Sequence, residues 1–312
     1  MLGAIVIAEN SDSSGTLADA LSVVPVLGSS VLARSLERIR RGGYKVSVFA
    51  SDVAADDGAQ DEPSFSRDTN GWRSAAEQLS SFEARGLDTV LIARIGPYIE
   101  CDLAVLQGWH RAQGEATTRA FDKEGPLDLW MVDPNRFRER DEMLCALRNR
   151  NHGSFEVQGY VNRLRGPNDY RQLVADILNL RCQARPVGVE ARTGVWIAEG
   201  AQVARSARVV PPAYIGHGVR IAEDCLITRC SNVERNSHVD FGTAVEDSSI
   251  LPNTYIGIGL DLAHSVVDGG EVVNLQHDVT LQITDPVVMR RTTRGQSRSL
   301  QSEIESNVVA LS

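Results

Sequence analysis

Counting every sixth residue from Ile197 gives Val203, Val209, Ile215, Ile221, Ile227, Val233, Val239, Val245 and Leu251, an unbroken aliphatic series. Two places before each aliphatic from Val203 onward stand Ala201, Ala207, Ala213, Val219, Cys225, Ser231, Ser237, Thr243 and Ser249, so a second position of the period is held to small side chains. After Leu251 the phase slips, and it resumes at Val267, Val273 and Val279. This period is neither helical nor simple strand alternation; it demands short strands separated by turns, each unit sending one aliphatic side chain into a shared core. The small residues suit coil corners, where a bulky side chain would overpack a narrow interior.

The rest of the 312 residues is enough for a second domain. With 42% apolar and 23% charged residues, the chain can build an ordinary core and is not low-complexity throughout. Its formal charge of -9 repels phosphate backbones and anionic lipid, which argues against nucleic-acid or membrane-surface binding. No stretch approaches the apolar length of a membrane span, and MLGAIVIAEN reads as a first strand rather than a signal peptide. A cytoplasmic location is therefore expected. Cys101, Cys145, Cys182, Cys225 and Cys230 form no CxxC pair and are odd in number, as suits reduced thiols. His217, His238, His264 and His277 fall at different points of the repeat and form no pair suited to zinc, so they read as surface or packing residues.

The first half alternates strand and helix. Ala4 to Ala8 is an apolar strand; Leu32, Leu36 and Ile39 lie at helical spacing, and Gly42 and Gly43 close that helix. Lys45 to Ala50 is a second strand, and an acidic run from Asp52 to Glu62 reads as a solvated loop. Ala75, Leu79 and Phe82 mark a helix, Thr89 to Ala93 a third strand, and Asp102 caps a helix carrying Leu103, Leu106 and Trp109. Alternation of this kind predicts a mostly parallel sheet covered by helices, with a ligand crevice at the carboxyl ends of its strands.

Several stretches carry a family resemblance. PVLGSSVLARSLERIRRGG from Pro25, IECDLAVLQGWHRAQGEATTRAF from Ile99 and VNRLRGPNDYRQLVADIL from Val161 resemble, in order, segments of the sugar-1-phosphate nucleotidyltransferases, especially the mannose-1-phosphate guanylyltransferase-like branch. The six-residue period resembles that branch's hexapeptide tail, a left-handed parallel β-helix. The resemblance implies an α/β fold: a Rossmann-like, mostly parallel sheet domain over 1–165, a connecting helix and linker over 166–191, a left-handed β-helix over 192–284 and a tail over 285–312.

In that family a nucleoside triphosphate and a sugar 1-phosphate give a nucleotide sugar and pyrophosphate. A glycine-rich loop, basic side chains and aspartate-held magnesium stabilise the phosphoryl charge. The corresponding loop here, AENSDSSGTLADALSVVPV, keeps Gly15 and Thr16 but has Glu9 and Asn10 in place of twin glycines and Leu21 in place of a lysine. From Met1 to Ala33 there is no lysine or arginine, while Glu9, Asp12 and Asp19 are acidic; the whole chain holds two lysines, Lys45 and Lys123. Gly96 and Pro97 stand where the family has its metal aspartate. Of the nearest carboxylates, Asp102 reads as a helix cap and Glu100 as a solvent-facing charge. Gly71 of TNGWRSA echoes the base-binding segment, with Trp72 beside it as a packed aromatic.

These residues imply a vestigial nucleotide crevice formed by Ala8, Glu9, Asn10, Gly15, Thr16, Gly71 and Gly96, with no catalytic residue, no metal ligand and no resident cofactor. The expected function is a noncatalytic, regulatory or scaffolding partner in sugar-nucleotide or exopolysaccharide metabolism, homo-oligomeric through its β-helix, with a protein partner and a nucleotide or nucleotide sugar as possible ligands. The alternative is an active sugar-1-phosphate nucleotidyltransferase using Mg2+, its missing cations supplied by Arg73 or Arg94. A third reading makes the β-helix an acyltransferase or metal enzyme. The tail from Met289 mixes a basic patch with a weak amphipathic stretch and reads as disorder or a capping helix.

Overall fold

The computed structural model describes residues 2–9, 24–51, 82, 86–137, 142, 145–147 and 153–292, with the backbone alone for 8, 9 and 49–51. In chain order the main elements to residue 178 are β1 (Leu2–Glu9), β2 (Pro25–Val26), β3 (Ser29–Ser30), α1 (Val31–Arg41), β4 (Tyr44–Ser51), β5 (Val90–Ile95), β6 (Tyr98–Ile99), α2 (Leu103–Gln113), β7 (Thr117–Asp122), β8 (Gly125–Val132), β9 (Gly153–Glu156), β10 (Val161–Asn162) and α3 (Pro167–Leu178). They belong to two compact units: residues 2–9 with the described part of 31–163, and residues 24–30 with 164–292.

The first unit is α/β. Its sheet runs β4-β1-β5-β8-β7-β9, with β1 parallel to both β4 and β5 and β9 parallel to β7. Ala4, Ile5, Val6 and Ile7 are all fully buried, as a central parallel strand covered on both faces requires. The sheet is parallel-rich but not uniformly so, because β8 runs antiparallel to β5 and to β7. The reversal comes from the turn after Phe121, where the Asp122 carboxylate accepts the amides of Glu124 (2.9 Å) and Gly125 (3.0 Å). That local side-chain cap makes a hairpin where strand–helix alternation would have continued. Helix α1 buries Val31, Leu32, Leu36 and Ile39. Helix α2 starts at Asp102, whose carboxylate accepts from the Ala104 and Val105 amides at 3.0 and 3.2 Å, and ends at Gly114 in the left-handed region.

The second unit holds many short parallel strands, an arrangement compatible with a β-helix. Ile197 pairs with Ile215, Val203 with Ile221 and Val209 with Ile227, in three separate sheets, so one turn consumes three units of the repeat. Val195, Val209, Ile215, Ile221, Ile227, Val233, Val239 and Val245 meet in one core. The phase changes earlier than the aliphatic series suggests: Val233 pairs with Ile250, not Leu251, and Val239 with Ile256, so those turns are one residue shorter.

In the shortened turns the small residues do more than leave room. Ser231, Ser237 and Thr243 hydroxyls accept the amides of Ser248 (3.1 Å), Thr254 (3.1 Å) and Leu260 (3.0 Å), and donate to the carbonyls of Val245, Leu251 and Gly257. Ser248 repeats the motif with Ser265 and Leu262. Each hydroxyl thus satisfies a buried backbone group that the loss of one residue would otherwise leave unpaired.

The resumed phase at Val273 and Val279 does not describe further parallel turns. Beyond Asp268 the chain folds back as an antiparallel meander of Ser265–Asp268, Glu271–Asn274 and Val279–Gln282. There Val272, not Val273, is buried, and Val279 is exposed. Met289–Arg291 then pairs antiparallel with Thr254–Ile256.

Candidate functional site

The carboxyl edge of the first sheet gathers three of the sequence-predicted positions. Ala8 lies opposite Ile95 and Glu9 opposite Ser51, so the ends of β1, β4 and β5 are level, and Gly96 follows β5 at the same edge. A methyl group added at Gly96 would meet nothing within 4 Å, so this glycine borders open space. Asn10, Gly15, Thr16 and Gly71 lie outside the described residues, as do Trp72, Arg73, the run from Asp52 to Glu62 and the chain beyond Thr292.

Three described arginines of this unit are engaged. Arg94 pairs with Asp128 at 3.5 Å, and Arg119 reaches the same carboxylate at 3.2 Å while lying 4.9 Å from the Trp130 ring. Burial lowers the pKa of Arg119 and the Asp128 charge opposes that shift. Arg163 binds the Asp122 carboxylate and the carbonyls of Gly125 and Pro126. A cavity of about 40 Å³ under α1 is bounded by Arg38, Arg94, Cys101 and Asp128 among mainly apolar neighbours. It is too small for more than a water or two.

Glu100 corrects the expectation of a solvent-facing charge. It is 6% exposed, accepts a 2.7 Å hydrogen bond from Tyr98 Oη and faces Arg38 Nη2 at 3.5 Å; Arg38 also donates to Tyr98 Oη and the Ile99 carbonyl. The physical reason is local: β6 pairs with β10, and the Glu100 amide donates to the Tyr160 carbonyl, which holds this residue beneath the segment. Burial, against the opposing charge of Arg38, raises the pKa of Tyr98 strongly, and burial pushes the neighbouring Cys101 thiol up to about 12. A thiol held protonated in this way is a poor nucleophile.

The described carboxylates at this edge do not fit a magnesium ion. Glu100 is committed to Tyr98 and Arg38, and Asp102 to the first turn of α2. Among the described residues no group of three His, Cys, Asp or Glu side chains is placed to hold a metal. His110, within the stretch that resembles the family, is buried against Thr118 Oγ1 at 2.8 Å, and burial lowers its pKa.

In the second unit, His238 stands edge-on to Tyr255 and His264 Nδ1 lies 2.7 Å from Asp247 Oδ2. Sequence reading missed a buried polar network here. Glu234 is 0% exposed and accepts the amides of Leu27 (2.8 Å) and Gly28 (3.1 Å) and the Asn232 side-chain amide (2.9 Å). Asn232 in turn faces Arg171 and Ser249, and Arg171 donates to Asp247 at 2.6 Å and to the Cys230 carbonyl at 3.1 Å. Tyr170, beside Arg171 on α3, donates to the Pro25 carbonyl at 2.7 Å. The signal was present in SNVE at 231–234, where polar side chains flank a core valine on both sides. The network anchors the β2–β3 hairpin and α3, and its hydrogen bonds tie these groups to one another, a structural role.

No known family model matches the chain, and no curated protein is similar to it at a meaningful level.

Proposed function

We propose that this chain is a noncatalytic relative of the sugar-1-phosphate nucleotidyltransferases, a sheet domain joined to a left-handed hexapeptide coil, and that it acts as a regulatory or scaffolding partner in sugar-nucleotide or exopolysaccharide metabolism. Its subunits associate through the coil, and its crevice at Ala8, Glu9, Asn10, Gly15, Thr16, Gly71 and Gly96 is vestigial. The observation that carries the reading is electrostatic. No lysine or arginine occurs from Met1 to Ala33, and Arg38, Arg94, Arg119 and Arg163 already face carboxylates. Phosphoryl transfer depends on cations held ready for the developing charge. The parallel-rich sheet and the stacked short strands, in this order along the chain, support the family reading.

The test is pyrophosphate release from each common nucleoside triphosphate with a sugar 1-phosphate and Mg2+. Release no faster than from boiled protein is expected. Turnover well above that control would establish the active nucleotidyltransferase instead. Thermal-shift measurements with nucleotides and nucleotide sugars then ask whether the crevice still binds, since a ligand selective for the native state raises the melting temperature.

A further inference from the structure

A second feature lies wholly on the stacked-strand unit. Gln202, Arg220, His238 and Tyr255 occupy equivalent places on successive parallel strands, paired Gln202 to Arg220, Arg220 to His238 and His238 to Tyr255. Neighbouring strands are spaced at about 4.8 Å, so these side chains leave the same face as a column. Two positions on, just past the ends of the first two strands, stand Ala204 and Ala222, whose small side chains leave a shallow depression of about 480 Å³ bordered by Gln202, Arg220, Glu223 and His238.

The charges here differ from those of the first unit. Arg220 and Glu223 are exposed, and neither side chain has a hydrogen-bond or ion-pair partner among the described residues. By contrast Arg229 is paired with Glu246, and Arg291 with Asp268. An unpaired guanidinium between an amide and an imidazole in one column offers neighbouring donors to an oxyanion. The unpaired carboxylate on the same rim accepts hydroxyl groups and repels a second anion.

The aromatic groups narrow the ligand class. One face of Tyr255 is covered by Arg290, 3.8 Å from the ring centroid; its hydroxyl donates to Asp240, and His238 meets it edge-on at 83°. Tyr255 therefore offers no open platform for a nucleobase, which favours a ligand without one.

We propose that this depression is a binding site for a small phosphorylated sugar, its phosphoryl group on Arg220, Gln202 and His238 and its hydroxyls toward Glu223. The site goes beyond the nucleotidyltransferase-like reading and stands whether or not the first unit is catalytic.

The test is isothermal titration of the full chain with mannose 1-phosphate, inorganic phosphate and unphosphorylated mannose, repeated on Arg220→Gln, Glu223→Gln and Arg208→Gln. Arg208 is exposed on another sheet, paired in register with Leu226, and serves as the control. Loss of charge-assisted hydrogen bonds predicts at least about tenfold weaker binding of both phosphate ligands to Arg220→Gln. Glu223→Gln is expected to weaken mannose 1-phosphate but not inorganic phosphate, Arg208→Gln to match the parent, and mannose alone not to bind. No binding to the parent, equal affinity in the parent and Arg220→Gln, or mannose binding as tightly as its phosphate would overturn the proposal. Pyrophosphate release is a separate readout, so failure here leaves the catalytic question to its own assay.

Discussion

Replacing Gly28 by alanine tests how the β2–β3 hairpin is held. Pro25 pairs with Ser30 and Val26 with Ser29, leaving Leu27 and Gly28 as a two-residue loop with φ of 54° and 87°. Both loop residues at positive φ is the pattern of a type I′ turn, in which the second place strongly favours glycine. A Cβ at position 28 would be placed inside contact distance of the Tyr214 hydroxyl and 2.9 Å from Val187 Cβ. Tyr214 is almost fully buried, so it has little room to yield. Left-handed backbone costs an alanine roughly 1–2 kcal/mol, and overpacking of this kind costs about 1–3 kcal/mol. Together they destabilise the docked hairpin by about 2–5 kcal/mol.

Hydrogen exchange at the Leu27 and Gly28 amides is the direct assay, because both donate to the buried Glu234 carboxylate. Each 1.4 kcal/mol is about tenfold in an opening equilibrium, so exchange should accelerate by roughly 30-fold or more. Tyr214→Phe combined with Gly28→Ala should recover part of that loss by removing the obstructing hydroxyl, while the backbone contribution remains. Exchange at these amides unchanged within about twofold by Gly28→Ala would refute a hairpin seated on Glu234.

Three further outcomes follow from the same geometry. Asp102→Ala removes the carboxylate oxygen that accepts two amides at the start of α2 and should lower stability by about 1 kcal/mol in urea unfolding, with Asp102→Ser recovering most of it. Arg171→Met takes a donor from the buried Asn232 and Ser249 side chains and from the Cys230 carbonyl, while Asp247 stays in contact with solvent; about 1–3 kcal/mol of destabilisation is expected, read as a lower melting temperature. Burial would raise the pKa of Asp122, but hydrogen bonds from Arg163 and the Glu124 and Gly125 amides outweigh it and hold the carboxyl below its usual range. Its contribution to stability is therefore complete above the ordinary carboxylate range and disappears as pH falls through the depressed folded-state value. Asp122→Asn should flatten that acid limb in a pH series of thermal unfolding; an unchanged slope would remove this pair from the account.

The parts of the fold visible in sequence were those written as periodicity. The aliphatic series found the inward positions from Ile197 to Val245 because each must fill the same narrow core. It erred at Leu251, since Ile250 beside it is equally apolar and a one-residue deletion leaves no mark in hydrophobicity. The mark lay in the small position, which changes from Ala201, Ala207, Ala213, Val219 and Cys225 to Ser231, Ser237 and Thr243 where the shorter turns need a hydroxyl. The β7–β8 hairpin was missed because its turn is set by one aspartate bonding its own backbone. Glu100 was misread because nothing local announces that Arg38, from a distant helix of the first unit, will meet it and the neighbouring Tyr98. Of the crevice, only the backbone at Ala8 and Glu9 and the position of Gly96 can be compared with expectation.

The cations of the first unit also bear on whether the crevice can be rescued. To serve a polyphosphate, Arg38 would have to leave Glu100, whose side chain is 4% exposed, and Arg94 would have to leave Asp128. Stripping one partner from a buried ion pair costs about 3 kcal/mol or more, because the remaining charge stays out of water. A triphosphate recruiting Arg38 would forfeit about a hundredfold in affinity before making any new contact. Arg220 carries no such debt, since its guanidinium has no protein partner to abandon among the described residues. By this measure an anionic ligand meets less resistance on the stacked strands than beside the described arginines of the sheet.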